Sequence, residues 1–259
     1  MAITYQAPLA GEEEESAVRR LGLKIGAASV ILGGLVVFVA RAAHGDLPTD
    51  TGANALSYVA DFPIYHIVHL VANLGVLLWA AGFYALSSSL SDRTARAVGR
   101  VASAAVLIGA AVYIVDFSID GYALSSFANL WVDASPAERG LLAFGAEVVK
   151  TALGGISLSS LLILWGVAPM LYGVAARREG YPRWLSWSGV TIGATMFATA
   201  VAQFVVSTNQ TEETTLGLVV YAGLPLLALL WSMVLGAVMW RRTPVDRSIP
   251  VDSHPTQGP

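Results

Sequence analysis

Pro63-Ile64-Tyr65-His66-Ile67-Val68-His69-Leu70-Val71-Ala72-Asn73-Leu74-Gly75-Val76-Leu77-Leu78-Trp79-Ala80-Ala81-Gly82-Phe83-Tyr84-Ala85-Leu86-Ser87-Ser88-Ser89 runs for 27 residues without an Asp, Glu, Lys or Arg. The hydrocarbon core of a bilayer is about 30 Å thick and takes roughly 20 apolar residues of helix to cross, so this stretch predicts a membrane-spanning helix. Similar stretches lie at roughly 21–43, 98–122, 155–176, 184–207 and 215–240. Turn-rich or charged stretches separate them, such as Gly45 to Gly52 with Pro48, and Arg177-Arg178-Glu179-Gly180-Tyr181-Pro182-Arg183. The expected fold is all-α: a polytopic membrane helical bundle of six transmembrane helices.

Composition agrees. Of 259 residues, 55% are hydrophobic and 13% charged, against about 25% charged in a soluble domain; the mean hydropathy is +0.63. A net charge of −3 offers no basic stripe for nucleic acid. The absence of cysteine removes disulfides, thiolate metal sites, iron–sulfur clusters and cysteine nucleophiles. The first twenty residues, with Glu12 to Glu15, lack the basic start of a cleaved signal peptide. The acidic run reads as a solvated helix start favoured by the helix dipole, and the first apolar segment as a retained anchor.

Lys and Arg accumulate in cytoplasmic loops. Arg19, Arg20 and Lys24 precede the first segment, Arg93, Arg96 and Arg100 follow the second, Arg177, Arg178 and Arg183 follow the fourth, and Arg241, Arg242 and Arg247 follow the sixth. These are twelve of the fifteen basic residues, and six crossings put them all on one side. The expected topology is therefore N-in/C-in, with a cytoplasmic N-terminal segment at 1–20, a transmembrane domain at 21–242 and a disordered, proline-rich cytoplasmic tail at 243–259. Trp184, Trp187 and Trp240 fall near the cytoplasmic ends, where indoles favour the water–lipid boundary.

Ser135-Pro136-Ala137-Glu138 reads as an N-cap, a proline at the first helical position and a capping-box acid. A helix from Pro136 to Ala176 would have 41 residues and run about 60 Å, twice the hydrocarbon core. Two crossings would place the Arg177–Arg183 cluster outside. The fourth element is therefore expected to be long or broken, with Gly154-Gly155 as the break, Pro169 as a kink, and its first half across or above the outer leaflet. No internal repeat is evident, so an inverted-repeat transporter is not indicated.

The chain resembles an uncharacterised family of small six-helix bacterial membrane proteins. The likeness rests on Trp165-Gly166, Leu171-Tyr172-Gly173, Gly180-Tyr181-Pro182-Arg183-Trp184-Leu185 and Gly189, and extends loosely over residues 21–240. It implies the six-helix fold and carries over no functional residue.

Ionisable groups inside a membrane segment are costly and usually face the bundle interior or a watery cavity. His66 and His69 lie near the outer end of the second segment, Asp116 and Asp120 near that of the third, Glu147 and Lys150 ahead of the Gly-Gly pair, and Gln203 near the outer end of the fifth; Arg41 and His44 terminate the first. Three- and four-residue spacing puts each pair on one helical face. Seven residues (His66, His69, Asp116, Asp120, Glu147, Lys150 and Gln203) thus form a candidate pocket, in which His66, His69, Asp116 and Asp120 are candidate ligands for a divalent metal. The same groups can relay protons. Plainer readings exist for each: a hydrogen-bonded histidine pair, an Asp120 that simply touches water, a Glu147–Lys150 ion pair on a helix surface, and a Gln203 helix-to-helix hydrogen bond. Trp79, Trp165 and Trp231 read as packing residues or as the lining of an apolar pocket.

Three classes of function fit. One is an outward-opening polar pocket that binds or transports a small solute or ion, with proton coupling as a variant. Another is a membrane enzyme, metal-dependent in one form, acting on a lipid or isoprenoid; no zincin helix, Gly-x-Ser-x-Gly elbow or phosphate loop accompanies it. The third is an accessory subunit of an oligomer or membrane complex. A four-helix haem protein needs axial ligands stacked across the bilayer, which His66 and His69, at one level, do not provide.

Overall fold

The structure, a computed structural model, describes residues 10–45, 47–48, 50–206 and 223–242. These contain helices and no strand. In chain order they are α1 (Ala10–His44), α2 (Gly52–Ala60), α3 (Tyr65–Ser89), α4 (Arg93–Ile119), a π-helical segment (Asp120–Leu124), α5 (Ser125–Val132), α6 (Pro136–Ser160), a second π-helical segment (Leu161–Val167), α7 (Ala168–Arg178), α8 (Arg183–Val206) and α9 (Leu224–Arg241). Among the described residues, six helical runs are long and apolar enough to cross a membrane: Arg20–His44, Tyr65–Ser89, Arg93–Val132, Pro136–Arg178, Arg183–Val206 and Leu224–Arg241. The chain is an all-α polytopic bundle. The expected tail at 243–259, the first nine residues and the sixth segment's start at 215–222 lie outside the described residues.

In lipid, helices gain no hydrophobic drive from meeting one another, so close backbone approach through small residues carries the association. α1 and α3 use glycines seven residues apart on both helices. A Cβ at Gly33 would lie 2.6 Å from the carbonyl oxygen of Gly75, and one at Gly82 would lie 2.6 Å from that of Gly26. Leu32, Leu35, Leu74, Leu77, Leu107 and Ile108 remain exposed on the outward faces, the belt a bilayer covers.

The third and fourth runs differ from expectation. The third continues to Val132 and reaches 40 residues, and the fourth reaches 43, so each is about 60 Å long. The fourth is long but not broken at Gly154-Gly155, where α6 continues unbroken and a Cβ would meet open space. Its irregularity is instead the π-helical Leu161–Val167, which ends just before Pro169. Proline lacks the N–H that would pair with the carbonyl four residues back, and its ring crowds that carbonyl. Widening the preceding turn relieves both effects. The helix start is as read: the Ser135 backbone N–H donates to Glu138 Oε2 at 2.8 Å, and Pro136 follows.

The surplus length forms a cap with α2, a helix inside an expected loop. Thr51 Oγ1 accepts from the Asn54 backbone at 3.1 Å and starts α2. The Asn54 amide donates to Asp50 at 2.6 Å and holds its carboxyl below the usual aspartate range. Leu56 and Val59 of α2 bury against Tyr65, Leu124, Ala128 and Ala146. This small core sits over one end of the bundle, where α1 finishes and α3 begins. The opposite end gathers the loops Leu90–Asp92 and Glu179–Pro182 and the end of α9, joined by Glu179 and Arg242. We call these the histidine end and the basic end.

A candidate metal centre at the histidine end

α1 ends at His44 because Gly45 adopts φ +68, a left-handed conformation that ends a helix and favours glycine. The Gly45 carbonyl accepts from Arg41 Nη1 at 2.6 Å and faces His44 Nδ1 at 2.9 Å. Tyr58 of the cap donates to the His44 carbonyl at 2.6 Å. One helix away, His69 Nδ1 lies 2.8 Å from the carbonyl of Tyr65, a turn earlier on α3. The Tyr65 hydroxyl donates to Asp120 Oδ1 at 2.8 Å. Asp120 opens the first π-helical segment, and its next residue is a glycine for a packing reason: a Cβ at Gly121 would lie 2.7 Å from His69 Cγ.

These anchors converge. His69 Nε2 is 3.1 Å and His44 Nε2 is 3.6 Å from Asp120 Oδ2, and one ligand atom from each of the three residues lies within 4.8 Å of the others. His69 is 1% exposed and His44 8%, while the Asp120 side chain is 17% exposed.

A carbonyl oxygen only accepts, so each Nδ1 facing one must carry the ring's proton. A ring with no second proton then turns a bare Nε2 lone pair toward Asp120 Oδ2, itself an acceptor, whereas a ring with one donates Nε2–H to it. Three lone pairs in a nearly dry site repel one another unless a proton or a cation sits among them. Ligands about 2.0 Å from a tetrahedral metal stand roughly 3.3 Å apart; the two histidine-to-Asp120 separations match this, and the wider spread of up to 4.8 Å would have to close for all three to hold one ion. The pattern of Nδ1 to a carbonyl and Nε2 free is how histidine ligands are oriented in metal sites.

The expected cluster is therefore redrawn. His69 and Asp120 come together, but His66 does not join them. Three residues along a helix is a turn of about 60°, enough to carry His66 off the buried stripe of α3 and leave it exposed. Asp116 is buried yet looks to α6, where it accepts from Ser157 at 2.6 Å; its other oxygen is buried without a hydrogen-bond partner. Glu147 and Lys150 pair with each other at 3.3 Å on α6, the plainer reading given above. Gln203 is half-buried near the end of α8. His44 is the member of this group that spacing missed, because it stands alone on its helix with no i+3 or i+4 partner. Its signal was positional: a histidine followed by the glycine that ends the first span, at the level of His69.

Comparison of the chain with protein-family models, with curated proteins and with solved structures found no match.

Proposed function

We propose that this chain is a multi-pass membrane protein that binds a divalent transition-metal ion through His44, His69 and Asp120, at the end of the bundle opposite the one where most of its arginines collect. Basic loops on the cytoplasmic side would put that site on the outer face. This narrows the expected solute- or ion-binding pocket to one ion class. The observation that carries it is the orientation of the two imidazoles: both Nδ1 atoms are committed to carbonyls, so both Nε2 atoms face a carboxylate. Two imidazoles and one carboxylate suit zinc, iron and copper. With three protein ligands, and with His44 and Asp120 in partial contact with the exterior, a position stays open for water or a small ligand, the arrangement of catalytic rather than structural zinc sites. That feature favours a metal-dependent enzyme as the second reading. The six-helix family resemblance belongs to this proposal as well and adds no activity to it.

The test is metal titration of the purified protein, read by calorimetry and by elemental analysis after dialysis. Wild type should retain one equivalent. His69→Ala and Asp120→Asn should each abolish retention with the helical spectrum unchanged, and His66→Ala should retain the ion. If wild type binds none, or if His66→Ala loses the ion as His69→Ala does, the centre is not metal-binding, and an imidazolium–carboxylate contact takes its place.

A further inference from the structure

At the basic end the acids are turned away from the arginines beside them. The joined loops Leu90–Asp92 and Glu179–Pro182 hold two carboxylates. Asp92 Oδ1 accepts from the Ala95 backbone at 2.8 Å and caps α4. Glu179 is engaged by the backbone of Ser91 and Asp92 and by the Ser91 hydroxyl. Around this junction stand four exposed guanidiniums, Arg93, Arg96, Arg178 and Arg183, each within four residues of Asp92 or Glu179 along the chain. Among the described residues, none of the four has a carboxylate within ion-pair distance. Arg93 and Arg183 each begin a helix, α4 and α8, where the positive end of the dipole adds to their charge. Unpaired cations gathered in this way repel one another, and an anion among them reverses the sign of the interaction.

The chemistry of that anion follows from what lies next to the arginines. Trp184 and Trp187, 63% and 59% exposed, come directly after Arg183 on α8, and the exposed Phe197 and Val201 continue an apolar surface along the helix. Three-residue spacing puts the two indoles on one face, and α8 is of membrane length, so that face meets lipid. Exposed indoles suit the headgroup level of a bilayer. A free anion or an acidic soluble protein would satisfy the guanidiniums and leave the indoles and the apolar surface beyond them without a role. A molecule with an anionic head and a hydrocarbon tail meets both. The planar fork of arginine also matches a phosphate, with two parallel N–H donors to two oxygens.

We propose that Arg93, Arg96, Arg178 and Arg183 seat the headgroup of an acidic phospholipid, of the phosphatidylglycerol type, whose acyl chains run along α8 past Trp184 and Trp187. The lipid phosphate then bridges the loops before α4 and α8 from outside, as Glu179 bridges them from within. The inference is independent of any metal at the histidine end.

The experiment uses the full chain in phosphatidylcholine vesicles carrying a trace of chain-spin-labelled lipid, either phosphatidylglycerol or phosphatidylcholine. Paramagnetic resonance reads the motionally restricted fraction of each. In dilute buffer, wild type should favour phosphatidylglycerol by roughly tenfold, and the preference should collapse near about 1 M salt, where screening acts within about 3 Å. Arg93→Gln/Arg96→Gln/Arg178→Gln/Arg183→Gln should lose the preference with an unchanged helical spectrum, and changing the same four arginines to lysine should keep most of it. Arg178→Gln/Arg183→Gln, which should lose at least half of the preference, gives the same reading if the fourfold variant does not reconstitute. Arg20→Gln/Lys24→Gln removes charge from α1 at the same end and should leave the preference intact. Equal restriction of the two lipids by wild type would overturn the proposal, as would an equal loss in the α1 variant, which would make the preference one of total charge with no seat. Displacement of the restricted phosphatidylglycerol by inorganic phosphate at constant ionic strength would overturn the lipid as occupant in favour of a free anion.

Discussion

The two ends of the bundle each draw several chain segments together through polar side chains, and they do so in opposite ways. At the basic end Glu179 and Arg242 each meet partners of complementary polarity. The Glu179 carboxylate accepts from the Ser91 backbone at 3.0 Å, the Ser91 hydroxyl at 2.6 Å and the Asp92 backbone at 2.9 Å. Arg242 donates to the Gly180 carbonyl at 2.9 Å and stacks 3.8 Å from the centre of the Tyr181 ring. Gly180, at φ +80, lets the Tyr181 N–H reach back to the Ala176 carbonyl at 2.9 Å and close α7. In each of these contacts donor meets acceptor. At the histidine end two imidazole Nε2 atoms face one carboxylate oxygen. The first arrangement ties loops together; the second is incomplete without a proton or an ion.

That contrast predicts opposite responses to substitution. Glu179→Ala should have the largest effect on stability. It removes three hydrogen bonds to a half-buried carboxylate, so a loss of about 3 kcal/mol is expected, read as the shift in a denaturation curve of the detergent-solubilised protein. A loss within error of zero would mean that the basic end is not a tie. Next comes the metal response. An ion at a hundred times its dissociation constant should stabilise wild type by about 2.7 kcal/mol and Asp120→Asn not at all, whereas Glu179→Ala should keep the full increment on its lowered baseline. Equal increments in wild type and Asp120→Asn would erase the distinction between the two ends. The smallest effect is expected from Tyr65→Phe, which removes the hydroxyl that orients Asp120 and leaves all three ligands in place. Metal affinity should fall by roughly 10–100-fold with little change in unliganded stability. A fall as complete as that of His69→Ala would make the phenol itself a ligand.

Much of this molecule is legible along the chain. The six runs follow from apolar length, and the capping box at Ser135–Glu138 from local chemistry, because both are decided within a few turns of one helix. The gathering of the second loop, the fourth loop and the end of the last helix at one end followed from counting crossings. The side chains that hold them were not visible, since Glu179 and Ser91 are joined across 88 positions. Helix length past the bilayer was half legible. The excess in the fourth run was apparent from its cap, but that in the third was hidden by the polar Asp120-Gly121, which reads as an end and proves to be a π-helical turn inside a continuing helix.

The candidate centre shows where such reasoning stops. Sequence periodicity supplied His69 and Asp120, and it supplied His66 and Asp116 with the same force, because spacing says which residues share a face of one helix and not which face meets a neighbour. A 60° turn separates a histidine against Asp120 from one that is exposed. His44, alone on its helix, had no periodic signal. The sequence by itself determined the all-helical class, the number of membrane-length runs and which loops share one end of the bundle, since each depends on summed properties of contiguous residues. Tertiary structure alone decided which three polar groups meet and how two imidazoles are turned by their carbonyls. Those features depend on helix rotation, which close glycine contacts such as Gly33 on Gly75 and Gly121 on His69 set to within a fraction of an ångström.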